Sequence, residues 1–204
     1  MSEQDDDLVR RLRTIGTGER RDSLHLQAAT RIEALRAREG EVSDLLVRKS
    51  AHISADGLYR YRLERFWGSE HALPFVMLNP STADAEVDDP TIRRCMGFAR
   101  REGAGGIIVC NLYAFRATKP ADLWQARDPY GPENDSALVG LADWAARAGM
   151  PLICAWGAQG GNNNRPIVLM QRTGAQLMCL GRTESGQPRH PLYVRGDQKL
   201  EEFR

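Results

Sequence analysis

The sequence predicts an α/β fold, a three-layer α/β/α sandwich on a mostly parallel four-stranded sheet, with an N-terminal helical extension and a β-hairpin. Three observations predict it. The continuous apolar runs "LPFVMLN", "GGIIVCNLYAF", "MPLICAWG" and "AQLMCLG" read as strands covered on both faces. Segments of helical period lie between them, so strand and helix alternate as β-α-β-α-β-α-β, the pattern of a parallel sheet. The two longer helices also carry start and stop signals: Asp89-Pro90 before Gly103, and Asn134-Asp135 before Gly149.

Residues 4–47 read as helices: "DLVRRLRTIG" ends in a glycine, and Leu24, Ala28, Ile32 and Leu35 recur at helical spacing before Gly40. This extension, residues 1–47, precedes an α/β domain over 48–204. Around residue 50 the period changes to two. Asp56-Gly57 is a hairpin turn pair, and after it Tyr59, Tyr61 and Leu63 alternate with Arg60, Arg62 and Glu64. The first buried strand is residues 73–79, and the helix over 90–102 turns Ile92, Cys95, Met96 and Ala99 inward. The second strand spans 105–115, and the helix from 134 buries Leu138, Leu141, Ala142 and Ala145. A third strand over 150–157, a short helix over 164–174 and a fourth strand over 175–181 complete the alternation.

A 204-residue chain that is 42% apolar can build a real core, and a net charge of +1 creates no field that demands an anionic partner. A nucleic-acid binder of this composition needs a local basic patch. No apolar segment has the length of a membrane span or the form of a secretion signal, so the expectation is a cytoplasmic protein without a membrane partner. Cys95, Cys110, Cys154 and Cys179 lack metal-ligand spacing and read as reduced core thiols.

In open α/β sheets, ligands bind beyond the carboxyl ends of the strands. Those exits here are Asn79-Pro80-Ser81-Thr82, then Asn111 with Tyr113 and Arg116, then Trp156-Gly157, then "GRTESGQPRHPLYVR". Asn79 serves either as a turn residue or in a site. Asn111 places an amide inside an apolar run, where lack of a partner costs about 1–3 kcal/mol, so backbone or a ligand must satisfy it. Arg93 and Arg94 at a helix start oppose the helix dipole and need Asp84, Asp88, Asp89 or a phosphate nearby. The same acids could hold Mg²⁺, but Asp89 is better explained as a helix cap, so neither metal nor cofactor is expected.

The string "RYRLERFW…MLNPSTAD…DDPTIRRC…NLYAFRAT…ND…AWG" resembles the DUF1643 domain family over about residues 50–180. The order "LNPS", "IIVCN", "CAWG", "RHPL" is also similar, more distantly, to the uracil-DNA glycosylase superfamily. That likeness implies a DNA glycosylase acting on a flipped-out, modified or foreign base, with DNA as partner and no cofactor. Asn79 would hold water beneath the sugar, His190 would donate to the leaving base, and Asn111 would read its edge. Stacking would come from Tyr113, Phe115 or Trp156, and a wedge from Leu192 or Tyr193. Phosphate contacts would come from Ser81, Thr82, Arg93, Arg94, Arg116 and Arg189, with the N-terminal arginines as further candidates. Three departures stand out: no aspartate occupies position 79, His190-Pro191 is followed by Leu-Tyr, not serine, and the long "TESGQPR" insert shifts the histidine from the strand end. The competing expectations are a non-enzymatic nucleic-acid or nucleotide-binding module and a metal-assisted nucleotide hydrolase.

Overall fold

The computed structural model describes residues 30–31, 47–68, 71–81, 83–160 and 164–203. The chain divides into two compact units, Met1–Val47 and Arg48–Arg204. Of the first, only Thr30 and Arg31, both helical, and Val47 are described, so the rest of the expected helices of residues 4–47, with Arg10, Arg11, Arg13, Arg20 and Arg21, lies outside the described residues.

The second unit is a mixed α/β domain on one seven-stranded sheet. Its strands are β1 (Arg48–Ile53), β2 (Arg60–Phe66), β3 (Ala72–Met77), β4 (Gly106–Asn111), β5 (Leu152–Cys154), β6 (Leu177–Cys179) and β7 (Glu201–Glu202). Their spatial order is β1-β2-β4-β3-β5-β6-β7. The expected four parallel strands form its middle, β4-β3-β5-β6. The expectation of a mostly parallel four-stranded sheet is corrected at both sides. The hairpin does not stand apart, because β2 pairs antiparallel with β4 and gives its edge backbone groups partners. β7, a two-residue strand too short to show a period, closes the other edge antiparallel to β6.

Among the described residues four helices complete the unit: α1 (Pro90–Arg101), α2 (Pro120–Gln125), α3 (Asn134–Ala148) and α4 (Asn164–Gln171). α1 starts as expected, with Asp89 accepting the Ile92 N–H at 2.8 Å and proline at the first turn. α3 ends at Gly149 in the left-handed region, φ 64°, and buries the four expected residues. Successive residues of β3 face opposite ways, and the helices divide accordingly. Met77 lies 3.9 Å from the Cys95 sulfur of α1, whereas Val76 clusters with Leu138, Leu141 and Ala142 of α3. Pro74 is tolerated in this central strand because pairing of β3 with β5 begins only at Phe75. All four cysteines are free, and burial pushes their thiols up, Cys110 to about 12. No helix among the described residues is long and apolar enough to cross a membrane.

Candidate functional site

The order of the parallel strands reverses direction around β3, and the chain leaves β3, β4 and β5 into one crevice of about 970 Å³. Asn79, Ser81, Asn111, Trp156, Arg189, His190 and Tyr193 all line it. Residues far apart in the chain thus meet because parallel strands deliver their carboxyl ends to the same side.

Each amide has a defined orientation. Asn79 donates both N–H groups to backbone, to the Pro80 carbonyl at 3.0 Å and the Ala117 carbonyl at 2.8 Å, which makes its Oδ1 an acceptor. Asn111, 1% exposed, ends β4 beside Met77, and its Oδ1 faces the Arg60 guanidinium at 3.5 Å. A flipped amide would turn its own N–H groups on that cation, so Nδ2 stays free to donate. The turn behind it is held by Asn134, which donates to the carbonyls of Asn111 and Leu112 at 3.1 and 3.0 Å.

His190 sits on the loop after β6, just ahead of a short 3₁₀ turn at Pro191–Tyr193. Its Nδ1 accepts the Leu192 N–H at 3.3 Å, so the neutral ring carries its proton on Nε2. Gly157 lets the loop approach: it has φ +75°, and a Cβ there would lie 3.2 Å from that of His190. Burial lowers the His190 pKa below its ordinary 6.5, and Asp89 opposes this only in part. The unfolded chain therefore takes up the proton first as pH falls. Its contribution to stability is constant above pH 6.5 and declines below that value until the folded imidazole also titrates. Denaturant unfolding at pH 5 and pH 7.5 should show this acid loss in the wild type and a smaller one in His190→Gln.

Other expected residues lie elsewhere. Tyr113 is buried edge-on against Trp124, with Tyr130 5.0 Å away, because β4 ends at Asn111 and the chain then turns into the core beside α2. Phe115 packs on Tyr59, and Arg116 reaches back to the Gly57 carbonyl at 3.2 Å. Arg93 donates to the Asp88 carbonyl at 2.8 Å. Arg94 donates to the carbonyls of Pro191 and Val194, clipping the His190 loop to α1. Leu192 is 44% exposed next to the crevice, and Thr82 lies outside the described residues. Trp156 lines the crevice, but its ring is buried edge-on to Phe203 and its indole N–H goes to Gln187 at 2.8 Å.

The three aspartates after Asn79 are occupied by the fold. Asp84 accepts the N–H groups of Glu86 and Val87, Asp88 pairs with Arg65 at 2.6 Å and Lys49 at 3.3 Å, and Asp89 caps α1 while lining the crevice. No group of metal-binding side chains occurs among the described residues. Arg60 is the site residue that sequence reasoning missed: alternation put it on the charged outer face of the hairpin, yet it is 3% exposed and lines the crevice.

These features define a mixed α/β domain with a cleft at the switch point of its parallel strands. The chain belongs to the family described as "Protein of unknown function (DUF1643)", whose model matches residues 60–192. No curated protein and no solved structure matches the chain. The matched span begins at Arg60 and takes in every crevice residue except Tyr193. None of these matches supports the expected likeness to uracil-DNA glycosylases.

Proposed function

We propose that the crevice takes up a nucleobase flipped out of DNA and that the domain cleaves its N-glycosidic bond. The observation that carries this reading is the meeting of Asn79, Asn111 and His190 in one cleft of about 970 Å³, a volume that accommodates a nucleotide. Their orientations suit the reaction. Bond cleavage leaves positive charge on the sugar and negative charge on the departing base. The Asn79 Oδ1 can orient a water beneath the sugar, His190 Nε2–H can donate to the base, and the Asn111 amide N–H can read an acceptor on its edge. With the rings of Tyr113, Phe115 and Trp156 committed to packing, stacking falls to Tyr193, 82% exposed at the rim. Ser81 and Arg189 are the remaining phosphate contacts on the crevice wall, and Leu192 is the wedge. The reaction needs no cofactor, and buried free thiols suit a cytoplasmic setting.

The test is incubation with DNA carrying a panel of modified bases, in EDTA, scored for abasic sites and free base. The expected result is base release that falls about 10²–10³-fold in Asn79→Ala. Tight DNA binding with no abasic product would leave the crevice a binding module. Turnover of free nucleotides only when metal is supplied would make it a metal-assisted hydrolase.

A further inference from the structure

β2 carries three arginines, and their partners differ. Arg62 donates Nε to Glu64 at 2.6 Å. Arg65, wholly buried, has the Asp88 carboxylate at 2.6 Å and the carbonyls of Glu64 and Asp84 at 2.7 and 2.6 Å. Arg60 is buried almost as deeply but forms no ion pair among the described residues. Its Nη1 donates to the Ala83 carbonyl at 2.6 Å, its Nη2 reaches Asn111 Oδ1 at 3.5 Å, and its Nε is buried without a partner. Burial lowers its pKa to about 10; nearby Arg116 and Arg65 press the same way and Asp89 opposes them, so the group is still charged at neutral pH.

A guanidinium taken out of water with no carboxylate in contact is among the most costly arrangements a fold can keep. The same strand shows what a structural solution looks like, since Arg65 has its aspartate. Of the three, the arginine lacking a carboxylate is the one that faces the crevice. We propose that the ligand brings the missing charge: the crevice seats an oxyanion on Arg60, beside Asn111. The oxyanion is either a phosphate of a nucleotide or a base oxygen that gains negative charge as the glycosidic bond breaks. This rests on the reading of the ligand as a nucleotide. Asp89 and Glu184 also line the crevice; Asp89 acts on Arg60 without contacting it and offsets its charge only in part, so Arg60 remains a cationic wall for an anion.

The experiment is titration of the full chain with inorganic phosphate, thymidine and thymidine monophosphate, followed by calorimetry, on wild type, Arg60→Met and Arg60→Lys. With phosphate as the source, inorganic phosphate and the monophosphate bind and thymidine does not. With the base as the source, thymidine and its monophosphate bind alike. Arg60→Met weakens phosphate binding by about 30-fold or more and binding through the neutral base oxygen of thymidine by less, and Arg60→Lys recovers part of the loss. Thermal unfolding is the second measurement: Arg60→Met keeps its Tm within about 2–4 °C of wild type. The proposal is overturned if no probe binds the wild type, if Arg60→Met binds like the wild type, or if its Tm falls as far as that of Arg65→Met. Failure here is distinct from failure of the glycosylase reading. Arg60-dependent binding without base release sinks only the latter, and base release indifferent to Arg60 sinks only this inference.

Discussion

Arg65→Met should destabilise the domain by about 3–5 kcal/mol, the cost of breaking a buried ion pair by removing one partner. Arg65 is the fully buried cation of β2, and the segment between Asn79 and α1 folds over it. Without it, Asp88 keeps only the longer contact to Lys49, and the Asp84 carbonyl loses a donor at 2.6 Å. Methionine fills much of the volume but offers none of the five guanidinium donors. Arg65→Lys should recover little, because a single ammonium cannot reach the Asp88 carboxylate and the carbonyls of Asp84 and Glu64 together. Urea unfolding of the three proteins checks this. A loss below about 1 kcal/mol for Arg65→Met would show that the network contributes little beyond an exposed pair. Ser81 and Asp89 reach the crevice from this same segment, so the substitution should also weaken any ligand.

The elements with a strong period were legible in the sequence. Residues 90–101 carry an N-cap, a proline and an inward stripe, and each works locally, so the helix and its buried face follow from the residues alone. The meeting of Asn79 and Asn111 was legible too, because it follows from strand direction, whereas His190 reaches the crevice through the long loop after β6 that Arg94 clips to α1. What was hidden is what a neighbouring element does to a local pattern. "RYRLERF" alternates like a half-exposed hairpin strand, but both β1 and β4 pair with it and the 83–88 loop covers Arg60 and Arg65. The available signal was charge matching: "ADAEVDD" supplies acids in excess just where β2 supplies arginines. Tyr113 and Phe115 misled for a related reason. The apolar run continues past Asn111, yet the paired strand ends there and only the N–H groups of Leu112 and Tyr113 still reach the chain leaving β3; hydrophobicity alone does not show where a ladder ends.

His190→Ala should lower base release by about 10²–10³-fold, the usual effect of removing one donor aimed at developing negative charge. Arg94→Ala should reproduce part of that loss without touching the ligand. Arg94 does not line the crevice; it stacks over Phe98 at 4.9 Å and donates to the carbonyls of Pro191 and Val194, on either side of the 3₁₀ turn that follows His190. Arg101 holds the far end of the loop through the Gly196 carbonyl at 2.7 Å, so Arg94→Ala loosens the loop near its histidine without releasing it. A positioning residue acts only through the group it positions, so the double variant should be no slower than His190→Ala alone. A phosphate contact predicts the opposite: the two losses would multiply, and Arg94→Ala would reduce the salt dependence of DNA binding by about one charge. The His190 titration, followed by NMR, adds a readout independent of turnover. In Arg94→Ala the imidazole should move back toward its ordinary 6.5 as the loop opens to water, which a lost phosphate contact at the surface would not produce.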